Sequence, residues 1–196
     1  MADAGRVIAG TARGIRLEAP GPGTRPLSDR VKQTLFAILE PDLRGARFLD
    51  AFAGSGAAGI EALSRGAAHA TFVERDDGAI RVILANLART RLGGPERVTV
   101  VRSDVPGWLG DPDRALDPPF DLVVADPPYA DTEALGATLD LLGDCVRPGG
   151  RVVAKHHWRD RPSARVGLLA SERERRFGET TLTFYRRTDG PSAEDG

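Results

Sequence analysis

The 196-residue chain is 41% hydrophobic and 28% charged, a composition that suits one globular domain with a small extension rather than a disordered or fibrous protein. Its net charge of −1 divides into +3 over residues 1–47, −8 over 48–146, +7 over 147–187 and −3 in the last nine, so near-neutrality does not exclude a polyanionic partner. One cysteine, Cys145, excludes an internal disulfide, three histidines without Cys-rich spacing argue against structural zinc, and no long apolar stretch marks a signal peptide or membrane span, so a cytoplasmic location is expected.

Residues 6–18 alternate apolar and polar residues around glycines and predict a small hairpin carrying Arg6, Arg13 and Arg16. Residues 20–26, rich in Pro and Gly, predict a linker. Ser28 is an N-cap for an amphipathic helix with Val31, Leu35, Ile38 and Leu39 on one face, ending before Pro41. Strand one is expected over 47–52, a glycine turn and helix over 54–65, strand two over 70–74 and a second helix around Ile80, Ile83, Leu84 and Leu87. Strand three spans 97–101, and residues 110–119 read as a loop. Strand four, 120–125, leads into Asp126-Pro127-Pro128-Tyr129. A third helix, capped by Thr132, carries Leu135, Leu139, Leu142 and Val146, with Cys145 as buried filler. Pro148-Gly149-Gly150 turns into strand five, 151–155, followed by a basic loop, a weak strand near 166–170 and a strong one over 180–185. The tail from Asp189 is expected to be disordered. Repeated strand–helix alternation predicts an α/β fold: a mostly parallel sheet with helices on both faces, an antiparallel strand at the edge and the small N-terminal hairpin. The expected divisions are 1–27, hairpin and linker; 28–187, the main domain; and 188–196, the tail.

Ligands of open parallel sheets collect beyond the carboxyl ends of the strands. Four acids fall there: Asp50, Glu74, Asp104 and Asp126. Gly54-Ser55-Gly56-Ala57-Ala58-Gly59 satisfies G-x-G-x-x-G, and Glu74 lies where a dinucleotide fingerprint wants a ribose-binding acid, so a nicotinamide dehydrogenase competes. Asp50 favours S-adenosylmethionine instead, because a carboxylate would repel a pyrophosphate but can pair with a methionine ammonium group. Asp104 then suits an adenine amino group. After strand four, an acid, two prolines and an aromatic ring make a stiff ledge with a carboxylate, a free carbonyl and a ring face. That set suits a planar base bearing an exocyclic amino group.

These residues, Asp50 to Gly56, Glu74, Asp104 and Asp126-Pro127-Pro128-Tyr129, resemble class I S-adenosylmethionine-dependent methyltransferases with a Rossmann-like fold that modify amino groups. More narrowly, Arg6-Val-Ile-Ala-Gly10, Arg13-Gly14, the stretch Thr24 to Val31, Phe52-Ala53-Gly54-Ser55-Gly56, Glu61 to Gly66 and Phe177 to Thr180 are similar to the bacterial RsmD family. The resemblance covers about residues 6 to 187. It implies methylation of guanine N2 in small-subunit (16S) ribosomal RNA, with S-adenosylmethionine as cofactor and ribosomal RNA or an assembling small subunit as partner. A monomer without membrane or metal is expected. The implied catalytic residues are Asp126, Pro127, Pro128 and Tyr129, with Tyr129 stacking on a flipped-out base. Asp50, Phe52, Ala53, Gly54, Gly56, Glu74 and Asp104 would bind the cofactor, with Thr24 and Arg25 in a segment folding over its methionine end. Arg6, Arg13, Arg16, Arg30, Arg175 and Arg176 would grip RNA. Two departures stand out: Leu27 replaces a small polar residue, and Lys155-His156-His157-Trp158 occupies a stretch where many relatives carry an acid. The rivals are a methyltransferase acting on an adenine or cytosine amino group in other RNA or DNA, the NAD-dependent oxidoreductase, and a non-catalytic RNA-binding protein.

Overall fold

The computed structural model describes residues 2–21, 27–113, 118–129 and 131–189. The chain divides into two compact units, Met1–Val105 and Pro106–Gly196.

The first unit opens with a hairpin, β1 (Ala2–Arg6) antiparallel to β2 (Arg16–Ala19), longer at both ends than the alternation indicates. Helix α1 (Asp29–Leu43) follows, capped as expected by Ser28, whose hydroxyl accepts from the Val31 amide at 3.4 Å. It does not stop before Pro41 but carries it in the last turn. Loss of one amide there is offset by burial of Leu39 and Leu43, both at most 1% exposed. Strands β3 (Arg47–Ala51), β4 (His69–Glu74) and β5 (Val98–Arg102) form a parallel set in the order β5-β4-β3. Between them run α2 (Ala57–Ser64) and α3 (Asp77–Thr90). Phe48 stacks on Phe36 of α1 with centroids 6.2 Å apart, and Phe72, Ile60 and Ile83 are fully buried. A short helix, α4 (Val105–Leu109), succeeds β5.

The second unit holds β6 (Phe120–Ala125), α5 (Thr132–Cys145), β7 (Val146–His157), β8 (Arg165–Val166), β9 (Leu169–Phe177) and β10 (Thr180–Arg187), with strands in the order β6-β7-β10-β9-β8. The β6–β7 pair is parallel and the pairs beyond it are antiparallel. Four details depart from expectation. Val146, expected on the helix, begins β7, which runs through Pro148-Gly149-Gly150 instead of starting after them. The cap of α5 is Asp131, whose carboxylate accepts from the Ala134 amide at 3.2 Å, so Thr132 is the first helical residue. Cys145 is half-buried rather than core. The antiparallel part contains three strands, because the charged run over 169–177 forms β9 and makes a hairpin with β10 through Gly178 at φ +61°. Its many Arg and Glu residues hide the strand pattern, since backbone pairing to β10 rather than apolar alternation holds it.

Candidate functional site

In the first unit the site is a glycine loop between β3 and α2. Three of its residues sit in the left-handed region: Phe52 at φ 63°, Gly54 at 54° and Gly56 at 75°. For Phe52 that conformation is strained, and strain of this kind clusters at ligand sites. A side chain on Gly54 would find open space, its nearest neighbour lying 4.0 Å away, so the loop leaves room for close approach of a ligand. Gly59 serves packing instead, because a Cβ there would lie 2.3 Å from the Phe72 ring.

The acids at the strand ends hold this loop. Asp50, only 3% exposed, accepts from the Gly59 amide at 2.8 Å and thereby occupies the first turn of α2. Glu74 accepts from three amides: Gly54 on Oε2 at 2.9 Å, and Arg75 and Asp76 on Oε1 at 2.8 and 2.9 Å. A carboxylate has about four lone-pair sites, so Glu74 can still take one more donor. Asp104 is exposed just beyond the end of β5. Ala53 is buried and ties the loop to β4 through its amide, which donates to the Val73 carbonyl at 3.0 Å. Thr24 and Arg25 lie outside the described residues.

Polar residues absent from the sequence-based site hold the hairpin against this loop. Asn86 of α3, fully buried, accepts from the Glu18 amide and donates to the Glu18 and Ser55 carbonyls, each at 2.9 Å. One side chain thus joins β2 to the glycine loop. Glu61 of α2, also fully buried, accepts from the Ile8 and Ala9 amides at 2.7 and 3.0 Å and from Arg65 at 2.7 Å. The Ser64 hydroxyl accepts from the Ala12 amide at 2.9 Å and donates to the Ala9 carbonyl at 2.6 Å. Buried Lys32 donates to the Arg6 carbonyl at 2.6 Å, and desolvation pulls its pKa below the ordinary lysine value. Three of the stretches that carry the family resemblance, residues 6–10, Val31's neighbourhood and 61–66, are thereby physical partners.

In the second unit the ledge begins with the residue that follows β6. Asp126 is 18% exposed at the side chain and forms an ion pair with Lys155 of β7. Burial raises the Asp126 pKa, and the Lys155 ammonium opposes that rise. The Tyr129 hydroxyl shares a hydrogen bond with that of Thr180, and Lys155 Nζ lies 4.8 Å from the Tyr129 ring centroid. His157 meets the same ring edge-on, with centroids 6.1 Å apart. Pro127, Pro128, Tyr129, Lys155, His156 and His157 line part of a shallow, open cleft. His156 is held between the His157 carbonyl and the Thr183 hydroxyl, both at 2.8 Å, so it is structural.

The arginines assigned to RNA differ in availability. Arg6 and Arg16 are exposed but paired, with Asp29 at 3.1 Å and Asp3 at 2.8 Å. Arg13 and Arg30 are exposed. Arg175 and Arg176 are exposed on β9, and the Arg176 guanidinium lies 4.2 Å from the Trp158 ring centroid, with that of Arg159 at 4.9 Å. Among the described residues no group of three or more His, Cys, Asp or Glu side chains gathers for a metal, and no helix is long and apolar enough to cross a membrane.

A parallel α/β sheet with its glycine turn after the first sheet strand and an antiparallel edge is the class I methyltransferase fold. A solved Escherichia coli structure, yhhF, superposes with a TM-score of 0.81 at 31% identity, covering 93% of this chain and 97% of its own. Ribosomal RNA small subunit methyltransferase D of Escherichia coli strain K12 is 41% identical over 140 residues, 71% of this chain and 67% of the relative. YlbH of Bacillus subtilis strain 168 is 36% identical over 191 residues, 93% of this chain and 98% of the relative. The model of the family described as Conserved hypothetical protein 95 matches residues 5–186. The chain belongs to this family, the RsmD family.

Proposed function

We propose that the protein transfers a methyl group from S-adenosylmethionine to the exocyclic N2 of a guanine in small-subunit ribosomal RNA. The observation that carries this reading is the Asp126-Pro127-Pro128-Tyr129 ledge, whose carboxylate is half-buried and paired with a cation. Relatives whose names say that they methylate small-subunit ribosomal RNA support the substrate class.

The first unit suits the cofactor. The open space over Gly54 admits a ligand against backbone, and Glu74 has a lone pair left for a ribose hydroxyl. Asp50 lies against the Gly59 amide, a position that disfavours a pyrophosphate and so speaks against a dinucleotide. Bound there, S-adenosylmethionine supplies a methyl group on a sulfonium centre. Phe52, Ala53, Gly54 and Gly56 would shape its seat, and Asp104 would meet its adenine; Thr24 and Arg25 would cover its methionine end.

The ledge suits the acceptor. An aromatic amine is a weak nucleophile because its lone pair is delocalised into the ring. Asp126 and the Pro127 carbonyl accept its two hydrogens and return electron density to nitrogen. Pro128 stiffens the turn, and Tyr129, fastened at its hydroxyl by Thr180, offers a face for stacking. Orientation and fixed charge provide most of the effect, and Asp126 can take the proton released late in the transfer. Arg13, Arg30, Arg175 and Arg176 would contact phosphates most directly; Arg6 and Arg16 would exchange a surface ion pair for one.

The test is transfer of labelled methyl from S-adenosylmethionine to undermethylated small subunits, naked small-subunit RNA, tRNA and DNA, with nucleoside analysis. N2-methylguanosine in a small-subunit sample is expected. Label on adenine or cytosine would overturn the base assignment, and tight NAD binding with no label would overturn the reaction.

A further inference from the structure

Beyond the ion pair of Lys155 with Asp126, the Lys155-to-Trp158 stretch has no part in the proposed transfer, yet the β6–β7 register carries it to the ledge. Ala125 pairs with Ala154, so Lys155 lies level with Asp126 on the adjacent parallel strand, and level residues on neighbouring strands share a face. The lysine is 8% exposed. Its ammonium has three donors. One goes to Asp126 Oδ1, and the Tyr129 ring lies beside the ammonium, so a donor remains for a ligand on the ledge. Lys155 also lines the cleft beside Pro127 and Tyr129.

We propose that Lys155 determines which edge of the base is read: its ammonium donates to guanine N3 while Asp126 accepts from the N2 amino group. This rests on the reading that guanine N2 is the methyl acceptor. N2 has two ring neighbours of opposite character, N3, an acceptor, and N1–H, a donor. A cation next to the accepting carboxylate satisfies N3 and would face N1–H donor to donor. The base therefore enters with its N2–N3 edge toward β6 and β7 and with N1–H and O6 turned away. Mutual pairing of Asp126 and Lys155 gives the base an acceptor and a donor without a net charge. The structure thereby distinguishes an acceptor–donor pair from a lone carboxylate, which would accept from N1–H equally well.

The experiment uses the full-length protein and small-subunit RNA with guanosine, 3-deazaguanosine or 7-deazaguanosine ligated in at the position where methyl label maps. The 3-deaza base lacks only the N3 acceptor, and the 7-deaza base lacks an acceptor on the opposite side. For the unmodified enzyme, the 3-deaza RNA is expected to lose about tenfold or more in kcat/KM relative to the 7-deaza RNA. For Lys155→Met, guanosine and 3-deazaguanosine RNAs are expected to react within about twofold of each other. Equal sensitivity to 3-deaza substitution in the two proteins would overturn the proposal. So would indifference of the unmodified enzyme to it, an arm that needs no variant to fold. Absence of N2-methylguanosine from the unmodified RNA would instead remove the guanine reading itself, and that result is read separately in the first arm.

Discussion

Asp126 is the residue on which the proposed chemistry turns. It is partly desolvated at the ledge, which favours its neutral form, and paired with Lys155, which favours the charged one. The carboxylate offers two oxygens that only accept, one for lysine and one for an amino group, whereas protonation turns one of them into a donor. Asp126→Asn keeps the shape but removes the charge, and should lower methyl transfer by about 10²- to 10⁴-fold. S-adenosylhomocysteine affinity, measured by calorimetry, should be retained, since the cofactor half consists of other residues. The pH dependence has a definite sign. Burial raises the Asp126 pKa above its ordinary 3.8, so activity falls as pH drops through that raised value. Removing the Lys155 cation removes the opposing influence. The acid limb of a kcat/KM profile should therefore move to higher pH in Lys155→Met, and an unmoved limb would show that Asp126 does not govern it.

At the scale of elements, the N-terminal hairpin is held by buried side chains rather than by an apolar face alone. Glu61, Ser64, Asn86 and Lys32 satisfy its backbone at named atoms, and a buried amide left unpaired costs about 1–3 kcal/mol. The approach is close enough to dictate glycine at one position. A Cβ on Gly10, at φ +85°, would lie 1.9 Å from the Ser64 carbonyl oxygen, whereas one on Gly14, at φ +86°, meets nothing within 4 Å. Both substitutions carry the left-handed backbone penalty, and only the first adds a collision with backbone. Gly14→Ala should cost about 1–2 kcal/mol in urea unfolding, and Gly10→Ala about 1–3 kcal/mol more. Because Asn86 also donates to the Ser55 carbonyl, Gly10→Ala should weaken cofactor binding as well, a loss that Gly14→Ala should not share.

For the whole molecule, the near-zero net charge conceals two basic segments, 1–47 and 147–187, on either side of an acidic one. Association with a polyanion is governed by local charge and counterion release rather than by the total. Arg13→Ala and Arg175→Ala should each reduce the salt slope of RNA binding by about one unit. Arg6→Ala and Arg16→Ala should change it less, since each guanidinium already has a carboxylate partner. Filter binding of small-subunit RNA across a salt series checks both.

Much of this architecture was legible in the residues alone. The strands β3, β4 and β6 are apolar runs with an acid at or next to the carboxyl end, so both the element and its functional terminus could be read from local pattern. The glycine loop and the Asp-Pro-Pro-Tyr turn were equally visible, because backbone permissiveness and proline stiffness are properties of single residues. Charged β9 was not visible, since its strand character comes from pairing with β10. Nor were the roles of Glu61 and Asn86, whose partners lie 52 and 68 residues away in the chain. Lys155 stood out as an oddity in composition, but its partner did not. Local patterns determine which segments become strands and helices and which strand ends carry acids. Only the tertiary structure decides which distant amide or carboxylate each buried polar side chain must satisfy, because that choice is made by strand register and burial.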